Sequence, residues 1–145
     1  MSKIQQKFSI LVCMIGIGLV LLLTYWLIWP YNVITIRKVE VRTPIVQAGK
    51  EVEVYIESIK HMSVPATIYR EIINDHAWML PSFVSNIPLR QEDQVSDWVL
   101  RFQIPESAPT AKNYRIHTTY VYQVNPIRKI QVEWMTEPFT VIAKQ

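Results

Sequence analysis

The spacing of apolar positions along this chain changes once, near residue 31. From Phe8 to Trp29 the sequence FSILVCMIGIGLVLLLTYWLIW holds no charged residue. A run that is apolar on every face of the helical period has no side to turn to water. As a helix it reaches about 33 Å at 1.5 Å per residue, enough to cross a hydrocarbon core of about 30 Å. Tyr25, Trp26, Trp29 and Tyr31 gather at its C-terminal end, and such amphipathic rings favour the headgroup level of a bilayer. Pro30 then stops the helix. The pattern predicts a short tail over 1–7, a transmembrane helix over 8–29, and a juxtamembrane linker or the start of a first strand over 30–36.

Beyond that point the period becomes two. Val52, Val54 and Ile56 alternate with Glu51, Glu53, Tyr55 and Glu57, the signature of a half-buried strand, with Ala48-Gly49-Lys50 as its opening turn. Before it, Ile34 and Ile36 are followed by Val39 and Val41. The frame slips at Arg37-Lys38, which predicts a bulge or a linker that becomes a strand. Further strands are predicted at Pro65–Ile73, at Asp97–Ile104 with Trp98, Leu100, Phe102 and Ile104 on one face, and at Asn113–Val124 with Tyr114, Ile116, Thr118, Tyr120 and Tyr122 on one face. Lys129–Met135 pairs back as a hairpin across Asn125-Pro126, and Phe139–Ile142 continues it after a break at Pro138. No amphipathic helix of useful length interrupts these runs. Six or seven short strands separated by turn signals predict an all-β domain, an antiparallel β-sandwich over 37–145.

One segment narrows the architecture. In Ile104-Pro105-Glu106-Ser107-Ala108-Pro109-Thr110-Ala111-Lys112-Asn113-Tyr114 a strand ends, a proline-containing corner follows, and a tyrosine opens the next strand. From Val33 to Ala143 the chain thereby resembles immunoglobulin-like and fibronectin-type-III-like domains. The resemblance implies a tyrosine corner, a structural role in which the Tyr114 hydroxyl bonds backbone a few residues upstream. The paired cysteines of antibody domains are absent, and Asn113 stands where glycine is common. The resemblance is therefore to an immunoglobulin-like architecture, which does not by itself give a function.

Charge adds little. The chain has 15 basic and 12 acidic residues. With Lys3 and Lys7 ahead of the apolar run, the remainder is nearly balanced and its basic residues are scattered, which argues against nucleic acid as a partner. Lys3, Lys7 and the amino terminus lie closer to the apolar run than Arg37, Lys38 and Arg42 do. The expected orientation is N-terminus cytoplasmic and domain extracytoplasmic. A cleaved signal peptide fits poorly, because bulky Trp-Leu-Ile-Trp-Pro stands where small residues mark cleavage.

The candidate chemistry is sparse. The single cysteine, Cys13, lies in the apolar run, so the domain holds no disulfide. His61, His76 and His117 are far apart and lack metal-ligand spacing, and no cofactor is expected. Three glycines and no Gly-x-Ser-x-Gly elbow leave neither a phosphate-cradling loop nor a recognisable nucleophile. No catalytic or metal-binding residue is assigned.

The apolar, non-alternating segment from Ala77 to Leu89 is the candidate partner-binding surface, through Trp78, Met79, Leu80, Phe83, Val84 and Ile87. Its plainer reading is an irregular edge strand with Trp78 and Phe83 as core plugs. A second candidate is the strand face of Arg115, His117, Thr119 and Gln123, opposite Gln131 and Glu133, whose plainer reading is an ordinary wet sheet face.

The expected function is that of a non-catalytic protein-binding, assembly or accessory subunit at the cell envelope or surface, with the lipid bilayer and another protein as partners. One alternative is a structural subunit held in a membrane complex through its helix. Another is a membrane-tethered enzyme or metal carrier whose site forms only in the fold, with a histidine beside carboxylates.

Overall fold

The computed structural model describes residues 3–29, 32–74, 85–87 and 93–144. The fold is mostly β, with one N-terminal apolar helix. Helix α1 runs from Lys3 to Ile28, so it begins within the predicted tail. Its stretch from Gln5 to Ile28 is long and apolar enough to cross a membrane, and none of it is buried against the rest of the chain.

Nine strands are described: β1 (Ile34–Val41), β2 (Ile45–Gln47), β3 (Glu51–Lys60), β4 (Ala66–Ile73), β5 (Ser85–Ile87), β6 (Val95–Gln103), β7 (Ala111–Asn125), β8 (Arg128–Met135) and β9 (Phe139–Ile142). One sheet has the order β1-β3-β6, antiparallel throughout. Its register shifts between Ile36 and Lys38, leaving Arg37 as the extra residue of a bulge. That insertion is why Ile34 and Ile36, and then Val39 and Val41, turn to the same side although their frames differ.

The second sheet has the order β2-β9-β7-β4-β5, with β8 also paired to β7. Strand β7 spans 15 residues and organises it. Along Arg115–Tyr122 it pairs with β4. Its other edge pairs first with β9 and then, from His117 onward, with β8. In the break between β8 and β9, Thr136 is buried and bonds Ile116 through both its backbone N–H and its Oγ1, each at 3.0 Å. The ladder thus stays satisfied where Pro138 cannot donate.

Both sheets turn apolar faces to one core. Val52, Val54 and Ile56 of β3 meet Ile68 of β4, Ile116, Tyr120 and Tyr122 of β7, and Phe139 and Val141 of β9, all at most 1 % exposed. Burying each such side chain contributes about 1.5–3 kcal/mol. The core reaches back to Val33 and Ile34, which are 0 % and 6 % exposed. Strand β1 thus starts within the segment 30–36, which the sequence offered as a linker or the start of a first strand.

Candidate functional site at the end of the domain facing the helix

The last turn of α1 closes with Trp29 N–H donating to Tyr25 O at 2.9 Å. The next carbonyl, that of Trp26, would look four residues ahead for its donor and finds Pro30, which has no N–H. The β7–β8 hairpin supplies one instead. Asn125 Nδ2 donates to Trp26 O at 2.7 Å, and Arg128 Nη1 donates to Leu27 O at 2.8 Å. The helix carries no basic residue of its own in that turn. Arg128 therefore brings the positive charge that complements the negative end of the helix dipole. Asn125 is pre-set for this role because its Oδ1 accepts from Ile127 N–H at 3.2 Å, an Asx turn that also shapes the hairpin tip.

A second tie lies where the chain enters β1. His61 N–H donates to Val33 O at 2.8 Å. Its ring nitrogens are held on both sides, with Nε2 2.9 Å from Thr35 Oγ1 and Nδ1 3.0 Å from Asp93 Oδ1. Asn32 Nδ2 donates to the same Thr35 hydroxyl at 3.1 Å. Asp93 reaches this position with φ of 55°, and its N–H donates to Lys60 O at 2.7 Å. The order hydroxyl, imidazole, carboxylate can relay a proton, and it equally fastens three chain segments together.

Next to this tie, a cavity of about 180 Å³ opens between the sheets, lined by Ile34, Ser58, Lys60, Arg70, Trp98 and Tyr120 among others. Lys60 is only 6 % exposed, and the Arg70 guanidinium lies 5.7 Å from the Phe102 ring centre. Composition reading passed over Lys60. The available signal was phase, because Ser58 and Lys60 continue the inward frame set by Val52, Val54 and Ile56.

Of the residues singled out from sequence, Tyr25, Trp26 and Trp29 lie at the end of α1, with Tyr25 and Trp29 exposed. Tyr31, His76, Trp78, Met79, Leu80, Phe83 and Val84 lie outside the described residues. Ile87 ends β5 and pairs with Ala66. Tyr114 is fully buried, and its hydroxyl donates to Pro109 O at 2.7 Å. Burial pushes its pKa up from the usual phenol value. On the outer face of the second sheet His117 sits between Glu133, 3.5 Å away, and Glu71, 3.9 Å away. Among the described residues no group of three or more His, Cys, Asp and Glu side chains is placed to hold a metal ion.

No protein-family model matches the chain, and no curated protein matches it by sequence. Among solved structures, the chain is similar to a Niemann-Pick type C2 protein from Japanese carpenter ant. That match has a TM-score of 0.45 and 10 % identity, covering 77 % of this chain and 94 % of the other. It is also similar to Pseudomonas fluorescens alkylpurine DNA glycosylase AlkC bound to DNA containing an abasic site analog. There the TM-score is 0.43 and the identity 8 %, with 76 % of this chain and 30 % of the glycosylase covered. This chain spans less than a third of the glycosylase's length, and neither likeness bears on function.

Proposed function

We propose that the chain is a single-pass membrane protein whose domain, an immunoglobulin-like β-sandwich, is a non-catalytic binding module. It serves as an assembly or accessory subunit for another protein at the cell envelope or surface, with its N-terminus on the cytoplasmic side. The observation that carries this reading is α1: a helix apolar on all sides, long enough to span a membrane and with its apolar window unburied by the rest of the described chain. The clamp from Asn125 and Arg128 supports it, since it mounts the domain directly on the end of that helix. Confinement to a membrane raises the module's effective concentration for its neighbours.

The test is co-purification of the full-length protein in mild detergent. A stoichiometric partner is expected to remain when α1 is replaced by a generic apolar helix, and to be lost with Trp78→Ala or Phe83→Ala in a variant that still folds. A partner lost on the helix swap assigns the interaction to α1 instead. A protein that purifies alone overturns the reading.

The Thr35–His61–Asp93 array favours a second reading, a membrane-tethered hydrolase with Thr35 as nucleophile and His61 as base. It predicts acylation of Thr35 by an activated ester, abolished by His61→Ala. Absence of any acyl adduct by mass spectrometry overturns it.

A further inference from the structure

We propose that the tip of the β7–β8 hairpin is a second membrane contact, seated among the phospholipid headgroups and favouring anionic ones. The inference rests on the membrane-anchored reading above and adds to it a named surface and a lipid class.

The argument starts from position. Asn125 and Arg128 are bonded to carbonyls of the last turn of α1. That turn carries Tyr25, Trp26 and, just beyond it, Trp29, rings that favour the headgroup level. A hairpin held within hydrogen-bond distance of that turn cannot stand clear of the same layer. Its chemistry suits the place. Pro126 and Ile127 form the turn, and Ile127 is 52 % exposed, an apolar side chain presented at a loop tip. Beside it stand Arg128 and the exposed Lys129. Leu27 O takes one of the five N–H donors of the Arg128 guanidinium, and this fork matches phosphate geometry. An apolar tip flanked by cations is the arrangement that enters an anionic interface. At the opposite end of the domain, near the start of β7, Lys144 Nζ instead lies 2.7 Å from Glu106 Oε1.

The test uses the full-length protein in nanodiscs, either of phosphatidylcholine alone or with a quarter phosphatidylglycerol. An environment-sensitive fluorophore is attached in turn at the native Cys13, at Ile127→Cys and at Lys144→Cys, the last two with Cys13→Ser. Quenchers are carried on lipid acyl chains or headgroups. Acyl-chain quenching at Cys13 is expected. Headgroup quenching at position 127 is expected to exceed that at 144 at least twofold, to rise with phosphatidylglycerol, and to fall with Lys129→Gln, which leaves the helix clamp intact. If Cys13 is quenched but 127 matches 144, the hairpin contact is wrong and the anchor stands. If 127 is quenched equally in both lipids and is indifferent to Lys129→Gln, the anionic preference is overturned. If Cys13 is not quenched, the anchor fails, and the hairpin proposal with it.

Discussion

Replacing Tyr114 with phenylalanine isolates one hydroxyl. The ring is fully buried and stacks on Phe139 with centroids 5.8 Å apart, and phenylalanine preserves both features. What is lost is the bond to Pro109 O at 2.7 Å. Pro109 is exposed, so water can take over its carbonyl, and this bond is worth roughly 1 kcal/mol net. The expected total is therefore about 1 kcal/mol, against roughly 3–5 kcal/mol for Tyr114→Ala, which also empties the core site. Urea unfolding of the full chain in detergent, followed by tryptophan fluorescence, measures both. With a slope of about 2 kcal/mol per molar for a domain of this size, the midpoint should fall by about 0.5 M for Phe and about 1.5–2.5 M for Ala. A Phe variant that matches the parent would show that the corner hydroxyl contributes nothing. One as damaged as Ala would show that the ring's placement, not its hydroxyl, had been disturbed.

Alkaline pH should destabilise the domain. Burial raises the pKa of Tyr114 and of Tyr122, the latter also through Tyr120. A folded-state pKa above the unfolded value near 10 gives stability that is complete below about pH 10 and declines as pH rises further. Midpoints measured from pH 8 to 11 should therefore fall at the alkaline end, and a flat profile would contradict the burial of these phenols. Gly49→Ala should cost about 1–2 kcal/mol in the same urea assay, because Gly49 has φ of 85°. The added Cβ would also approach Glu106 Cγ at 3.1 Å, but that side chain is flexible enough to yield. A neutral result would place the strain elsewhere.

Elements with strong periodicity were the legible ones. An uninterrupted apolar run marks α1, and alternation marks β3, β6 and β7 because each has one face in the core. The frame slip at Arg37-Lys38 coincides with the register shift of β1 against β3. Strand β2 escaped notice because three residues cannot display a period, and because its partner β9 lies in parallel and far along the chain. Position 113, noted as unusual for lacking glycine, has φ of 69°, a left-handed conformation that asparagine tolerates better than most side chains. The helix clamp was illegible for a different reason. Asn125-Pro126 reads locally as a turn, and nothing in a turn reveals that its side chain bonds a carbonyl 99 residues away.

That clamp ties the two halves of the chain into one argument. Pro30 has no N–H to offer Trp26 O, and on the membrane-anchored proposal that carbonyl lies at the edge of an apolar layer, where an unsatisfied group costs most. A solvated linker would leave water to satisfy it and leave the domain free to swing. Here the domain's own hairpin supplies the donor, and the core begins at Val33, only a few residues past Ile28. Capping the helix and aiming the domain thus become the same interaction. For the binding module proposed above, the consequence is directional. On the membrane-anchored proposal, strand ends that carry Ile34, Lys60 and the His61 tie face the membrane, while the corner built on Tyr114 and the Gly49 turn faces away from it. A partner embedded in the same membrane would meet the first set, and a partner approaching from solution would meet the second.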